Sequence, residues 1–281
     1  MLPVRDDNPT RHIPYATLVI IALNVVAFLL WQPTFESERE QARFFYCNAL
    51  IPYEVINQEN LVDAGDEAPA AGEQAVDELG LDRECPDKSW LASVFASMFL
   101  HGGWLHIGGN MLFLWVFGNN VEDKLRPVLY VLFYLGAGVA ATIAQVALVH
   151  SGVNAVVPNI GASGAVAGVL GAYLVMFPKR RVLTLVMFFF ITFIYLPAFV
   201  VLGLWFVLQA ISGVTSLSES VNAGGGVAFW AHIGGFVFGA GLALLFFPKE
   251  RFRAVPPPAR PDFLGSRGLG GGFGRRRRGG W

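Results

Sequence analysis

Pro158-Asn159-Ile160-Gly161-Ala162-Ser163-Gly164-Ala165-Val166-Ala167-Gly168-Val169-Leu170-Gly171-Ala172-Tyr173-Leu174-Val175-Met176-Phe177 runs for twenty residues without a charge. Wound as an α-helix, twenty residues reach about 30 Å, the thickness of a bilayer's hydrocarbon core. Blocks of the same kind stand on either side, at Tyr15 to Trp31, Trp104 to Val121, Val128 to Val149, Val182 to Ile211 and Val227 to Phe247. The chain is 54% hydrophobic and 15% charged, above the roughly 45–50% apolar content of soluble domains. The surplus is gathered into spans, so lipid is the expected solvent. Only helices and closed barrels satisfy backbone groups in lipid, and the alternation of a barrel strand is absent. The expected fold class is therefore all-α, a polytopic membrane protein with six transmembrane helices. The fifth block is long enough to tilt, and Pro197 inside it is expected to kink it.

The loops orient the spans, because Lys and Arg gather on the cytoplasmic side. Lys124 and Arg126, then Lys179, Arg180 and Arg181, then Lys249, Arg251 and Arg253 mark one side. On the other, His150 to Asn159 carries no charged residue and Thr215 to Gly226 only Glu219. Both termini are expected in the cytoplasm. The N-terminus, 1–14, is polar, and no small-residue cleavage site closes the first apolar block, so 15–31 reads as a retained span. Residues 32–90 form an external acidic loop, in which Gln32 to Trp90 holds fourteen Asp and Glu against four Lys and Arg. Its apolar pieces, Phe44 to Ile56 and Trp90 to Leu100, fit amphipathic surface segments, whereas Asn57 to Lys88 reads as polar and flexible. Cys47 and Cys85 both fall in this loop, and the sequence leaves open whether they pair. Residues 91–247 hold helices two to six. The remainder, 248–281, is a proline-, glycine- and arginine-rich tail expected to be disordered; its basic run suits anionic lipid or nucleic acid, but the plainer reading is a solvated tail that reinforces topology, and no nucleic-acid partner is expected. No internal repeat is visible.

Ionisable and strongly polar groups are costly in lipid, so those inside spans are functional candidates. The second span carries His106 and Asn110, four residues apart and on one face, with His101 just before it. The fourth carries Ser163, the sixth His232. These three spans run in the same direction, and each holds its polar group about three to seven residues from the outer end, about 5–10 Å down. Glycines at 161, 164, 168 and 171, and at 235 and 239, give the fourth and sixth spans small faces along which backbones can approach. A serine hydroxyl brought to an imidazole can act as a nucleophile with a general base. His106, Asn110 and the Ser163 backbone N–H are placed to steady an oxyanion. Taken singly, a serine in a span is more often a packing residue and a histidine a satisfied interior group or part of a proton path. No carboxylate or Cys shares the layer of His101, His106 and His232, so no metal is expected there. His12 and His150 read as interfacial loop residues.

The residues His101-x4-His106-x3-Asn110, Gly118-x3-Glu122, Gly161-Ala162-Ser163-Gly164 and Ala231-His232-x2-Gly235-x3-Gly239, in this order on spans two, four and six, resemble the rhomboid intramembrane serine proteases over roughly Trp90 to Phe247. The resemblance implies a six-helix bundle in a bacterial plasma membrane. It makes Ser163 the nucleophile and His232 its base, with no aspartate and no cofactor. His106 and Asn110, with Gly161, would line the oxyanion hole, and His101 would support the site. Substrates would be single-span membrane proteins cut near the outer end of the helix, the fifth helix serving as a lateral gate. Two departures stand out. Family members often carry an aromatic ring four residues after the nucleophile, where this chain has Ala167, and the Trp-Arg pair that marks the first loop in some members is missing, with Trp90-Leu91 nearby instead. Two other readings stay open: a catalytically silent rhomboid-like protein that binds transmembrane helices, and a proton or small-solute transporter using His106 and His232 as a relay. The oligomeric state is not legible.

Overall fold

A computed structural model describes residues 2–149, 151–187, 191–218 and 228–247 of the chain. Each expected apolar block is at least partly helical. The elements run β1 (Leu2–Asp6), α1 (Tyr15–Val26), α2 (Glu38–Asn48), α3 (Pro52–Asn57), α4 (Leu61–Ala64), α5 (Ala70–Leu79), α6 (Leu81–Glu84), α7 (Trp90–Ala96), α8 (Trp104–Phe113), α9 (Asn119–Leu125), α10 (Pro127–Leu148), α11 (Ser163–Met176), β2 (Arg181–Met187), β3 (Ile191–Pro197), α12 (Ala198–Ser218) and α13 (Phe229–Phe246). Wide π-helical turns extend α1 to Trp31 and join α8 to α9. The basic tail 248–281, His150 and residues 219–227 of the loop before α13 lie outside the described residues.

Helix α11 has no polar face, and a helix that is apolar all round belongs in an interior. Eleven of its fourteen residues are buried. Around it, α1, α10, α12 and α13 turn large apolar side chains outward, among them Leu30, Val128, Leu132, Phe199, Leu208, Val237 and Leu245. Exposed apolar surface on that scale suits lipid rather than water. Among the described residues, α10 and α13 are long and apolar enough to cross a bilayer. The other apolar helices, Tyr15–Trp31, Trp90–Phe99, Ser163–Met176 and Ala198–Ile211, are shorter.

Glycine sets how close these helices lie. A methyl placed on Gly239 would overlap the Gly168 carbonyl, and one on Gly235 the Gly164 carbonyl, so α11 and α13 touch backbone to backbone. On the other side of α11, methyls on Gly164 or Gly168 would run into Ala141 or Ala137 of α10. A second tie is polar. The buried Glu122 of α9 accepts from the N–H groups of Ala16 and Thr17 at 2.9 and 2.7 Å and from the Thr17 hydroxyl at 2.7 Å. It thus caps the first turn of α1, whose N–H groups have no intrahelical acceptors.

The expectation of an all-α chain needs correction. The stretch 182–211 is not one long helix: β2 and β3 pair antiparallel from Arg181↔Pro197 to Met187↔Ile191, and β1 joins the other edge of β2 from Leu2↔Leu185 to Asp6↔Val182. An unbroken apolar run cannot be assigned to helix or strand by periodicity, and this one is rich in β-branched and aromatic residues that favour strands. Pro197 closes β3 at the join to α12 rather than kinking a helix interior.

The sheet carries a polar link to the central helix. Asp6 accepts from the Tyr173 hydroxyl at 2.6 Å and from the Asn120 amide at 2.8 Å. Burial pushes the Asp6 carboxyl from 3.8 up to about 6, against the Tyr173 bond that lowers it and with Asp7 adding to the rise. The folded chain therefore holds this proton more tightly than the unfolded chain. The contribution to stability is full below about pH 4 and is lost as pH rises through about 6, on the order of 3 kcal/mol in all. Comparing thermal midpoints of wild type and Asp6→Asn in detergent isolates it: the gap between the two curves is expected to change between pH 4 and 6, and parallel curves would refute the assignment.

Residues 57–88, expected to be polar and flexible, instead fold into short helices. Asn60 and Ser89 cap α4 and α7 through their side chains, and Gly80 in the left-handed conformation ends α5. Ile51, Leu61, Ala64 and Ala68 close a small core over Val156. The pairing left open in the sequence is made: Cys47 and Cys85 form a disulfide. Lys88 and Glu54 make a buried ion pair at 2.6 Å. The pieces expected on a membrane surface, Phe44 to Ile56 and Trp90 to Leu100, are held against the helices. Leu50 N–H donates to the Ser97 hydroxyl at 2.5 Å, and Asn159 N–H to the Leu50 carbonyl at 2.7 Å.

Candidate active site

Ser163 is the first residue of α11, so its hydroxyl stands where the helix's leading N–H groups have no intrahelical partners and the dipole favours negative charge. The approach to it is held by the N–H of Gly161 donating to the Ser97 carbonyl at 2.8 Å. Gly161 has φ +117°, and a Cβ there would lie 2.7 Å from His106 Nε2. Glycine is required here on both counts.

His232 enters from the first turn of α13. Its Nε2 lies 2.7 Å from Ser163 Oγ. Its Nδ1 lies 2.8 Å from Gln209 Oε1 on α12. The Trp205 ring, one turn before Gln209, is centred 6.0 Å from the imidazole. Behind the histidine, Gln145 of α10 accepts from the Ala231 N–H at 3.2 Å. The ring missing at Ala167 of α11 is thus supplied from α12.

On α8, His106 Nδ1 accepts from the Gly102 N–H at 3.2 Å. That bond leaves the proton on Nε2, the nitrogen beside Gly161, so the ring presents a donor to the site. Asn110, one turn on, is buried, and its amide nitrogen has no hydrogen-bond partner among the described residues. A buried unsatisfied donor calls for an explanation, and both residues line the same cavity as Ser163. His101 is fully buried and does not line that cavity. Its backbone exchanges two bonds with Gln32, N–H to Oε1 at 3.1 Å and Nε2 to the His101 carbonyl at 2.6 Å. Its ring packs edge-on to His106 at 5.2 Å. It therefore supports His106 and ties α8 to the end of the first apolar block.

The cavity has a volume of about 740 Å³ and is lined by Ser163, His232, His106 and Asn110. Phe113, Val166, Leu170 and Trp205 give it apolar walls, and Gln41, Phe45 and Tyr46 of α2 also line it. Among the described residues no group of three or more His, Cys, Asp or Glu is placed to hold a metal ion. A serine hydroxyl beside an imidazole, with N–H donors lining the same largely apolar cleft, is an arrangement that could carry out acyl transfer.

The structure brings Ser163, His232, His106, Asn110 and Gly161 together and sets His101 behind them. Sequence reasoning passed over Gln209, Gln145 and Trp205. The signal was available for the glutamines, since each is an amide in an apolar helix, where polar groups are costly.

Comparison with known proteins bears on the family of the chain. A family model described as the Rhomboid domain matches residues 88–249. Rhomboid protein 1, mitochondrial, of Saccharomyces cerevisiae is 34% identical over 95 residues, which cover 34% of this chain and 28% of that protein. Presenilin-associated rhomboid-like protein, mitochondrial, of Homo sapiens is 25% identical over 227 residues, 78% of this chain and 45% of its own length. Rhomboid protease GluP of Bacillus subtilis is 39% identical over 82 residues, 29% of this chain and 15% of its own. The chain thus spans less than half the length of each of these relatives. No solved structure matches it. The family match takes in more than half of the chain, including all of α8 to α13, and the chain belongs to the rhomboid family of membrane-embedded proteins.

Proposed function

We propose that this chain is an intramembrane serine endopeptidase. The observation that carries the reading is the 2.7 Å approach of His232 Nε2 to Ser163 Oγ in a cleft also lined by Asn110, whose amide nitrogen has no partner among the described residues. Ser163 Oγ attacks the scissile carbonyl carbon while its proton passes to His232 Nε2. The oxyanion is held by the Ser163 N–H, the Asn110 amide and His106 Nε2–H. His232 then returns the proton to the leaving amine, and water, activated by the same imidazole, hydrolyses the acyl-enzyme. The substrates are single-span membrane proteins cut near the outer end of the helix, where the peptide bond is freed from its own helical hydrogen bonds. Six spans enclose the site in a bacterial plasma membrane, with both termini cytoplasmic. The cationic loops support that orientation, and the Cys47–Cys85 bond fits an opposite side facing an oxidising compartment.

A serine-reactive fluorophosphonate tests the reading on purified protein. Wild type is expected to be labelled, with labelling absent in Ser163→Ala and sharply lower in His232→Ala. Equal labelling of Ser163→Ala would sink the reading. Asn110→Ala is expected to lower turnover of a labelled helix by roughly 10- to 1000-fold, and an unchanged rate would remove Asn110 from the oxyanion site.

A further inference from the structure

We propose that Gln209 is a positioning residue for His232: its carboxamide oxygen accepts the Nδ1 proton and so holds the imidazole in the tautomer whose Nε2 can take the Ser163 proton. The kinetic consequence rests on the proteolytic reading above; the tautomer is a property of the resting chain and is tested separately.

Gln209 is the only polar side chain between Ala198 and Ile211, in an apolar helix where an amide is costly unless paired. It is paired with His232 Nδ1 at 2.8 Å, while Nε2 meets Ser163 Oγ at 2.7 Å. Both ring nitrogens are therefore engaged, and the partner of one decides the role of the other. With the amide oxygen towards Nδ1, the neutral ring carries its proton there, and Nε2 keeps its lone pair for the serine proton. With the amide nitrogen towards Nδ1, the proton would sit on Nε2 and point at the serine oxygen, which leaves no base. Trp205 lies one turn earlier on the same face of α12 and packs on the same ring. One face of α12 thus fixes both the rotation and the tautomer of a residue carried by α13.

The amide also suits its surroundings. A carboxylate at this point would put a buried charge beside a neutral ring, at a large desolvation cost, whereas a neutral acceptor has little. When Nε2 takes the serine proton, the Nδ1 proton stays on the ring, still bonded to Gln209 Oε1. The amide takes up no proton. It stabilises the imidazolium only through its dipole.

Three forms separate these roles: wild type, Gln209→Leu, which keeps the volume and removes the acceptor, and Gln209→Glu, which keeps an acceptor and adds charge. The ¹⁵N spectrum of histidine-labelled protein, with His232 assigned by difference against His232→Ala, reads the tautomer without any turnover. Wild type is expected to show a protonated Nδ1 and a bare Nε2, and Gln209→Leu a mixture. With a labelled helix substrate, Gln209→Leu is expected to lose about 10- to 100-fold in kcat with KM unchanged. Gln209→Glu is expected to retain most of kcat and to move the acid limb of the rate profile up by about one pH unit or more. A wild-type His232 protonated on Nε2, or an unchanged tautomer in Gln209→Leu, overturns the proposal whether or not the protein cleaves. Full kcat in Gln209→Leu overturns it while leaving the protease reading intact. If Gln209→Leu fails to fold, the wild-type spectrum and the Gln209→Glu profile decide. If wild type is inert towards substrate, the protease reading falls and the spectra still decide the tautomer.

Discussion

Ser163→Ala and His232→Ala are each expected to lower kcat for a labelled transmembrane helix by at least about 1000-fold, and the double substitution to do no further harm. The reason lies in the 2.7 Å pair: the hydroxyl is a weak nucleophile until the imidazole accepts its proton, and the imidazole has no substrate proton to move once the hydroxyl is gone. Each member is useless without the other, so the losses overlap rather than add. The activity left behind is what the oxyanion donors and helix binding provide alone. Single-turnover rates in detergent for the three variants measure this. Losses that multiply in the double variant would mean that Ser163 and His232 act in separate steps, contrary to a dyad.

Gly239→Leu is expected to abolish recovery of folded protein. The α11–α13 contact that places His232 beside Ser163 is backbone on backbone, and even a methyl at Gly239 would overlap the Gly168 carbonyl, with Gly168 Cα at 2.8 Å. The carbonyl belongs to the most buried helix of the fold and has no room to retreat, because Gly168 is also pressed against Ala137 of α10. A small-to-large change in a packed interior typically costs about 1–3 kcal/mol where side chains can shift; with only backbone to shift, the cost here is expected to exceed that range. Gly241→Leu is the control, since a methyl on Gly241, two residues on in the same helix, would meet nothing within 4 Å among the described residues. It is expected to leave the thermal midpoint in detergent within a few degrees of wild type. Equal damage from both substitutions would locate the effect in helix composition, not in the contact.

The residues of the candidate site were largely legible in the sequence because they break a strong rule. His106, Asn110, Ser163 and His232 are polar groups in apolar blocks, their depths agree, and the glycines beside two of them mark where backbones meet. The same rule singles out Gln209 in the fifth block, whose length and Pro197 speak only to tilt and kinking. The sheet was hidden for a different reason. A continuous apolar run looks the same as helix or strand until a partner is known, and the partner of β2 includes Leu2–Asp6, more than 170 positions away in the chain. The fold of residues 57–88 was masked by their acidity, although the caps Asn60 and Ser89 and the stop at Gly80 were readable signals. What no local pattern could supply is the long-range set that stabilises this segment, namely the Cys47–Cys85 bond, the Lys88–Glu54 pair and the cover of Val156.

The most direct test of the central claim is cleavage in liposomes. The purified protein, reconstituted with fluorescently labelled single-span helices, is expected to cut at least one of them at a single bond near the outer end of the helix, and Ser163→Ala in the same membranes is expected to cut none. Intact helices with wild type across a panel of easily unwound sequences, or equal cleavage by Ser163→Ala, would contradict the account.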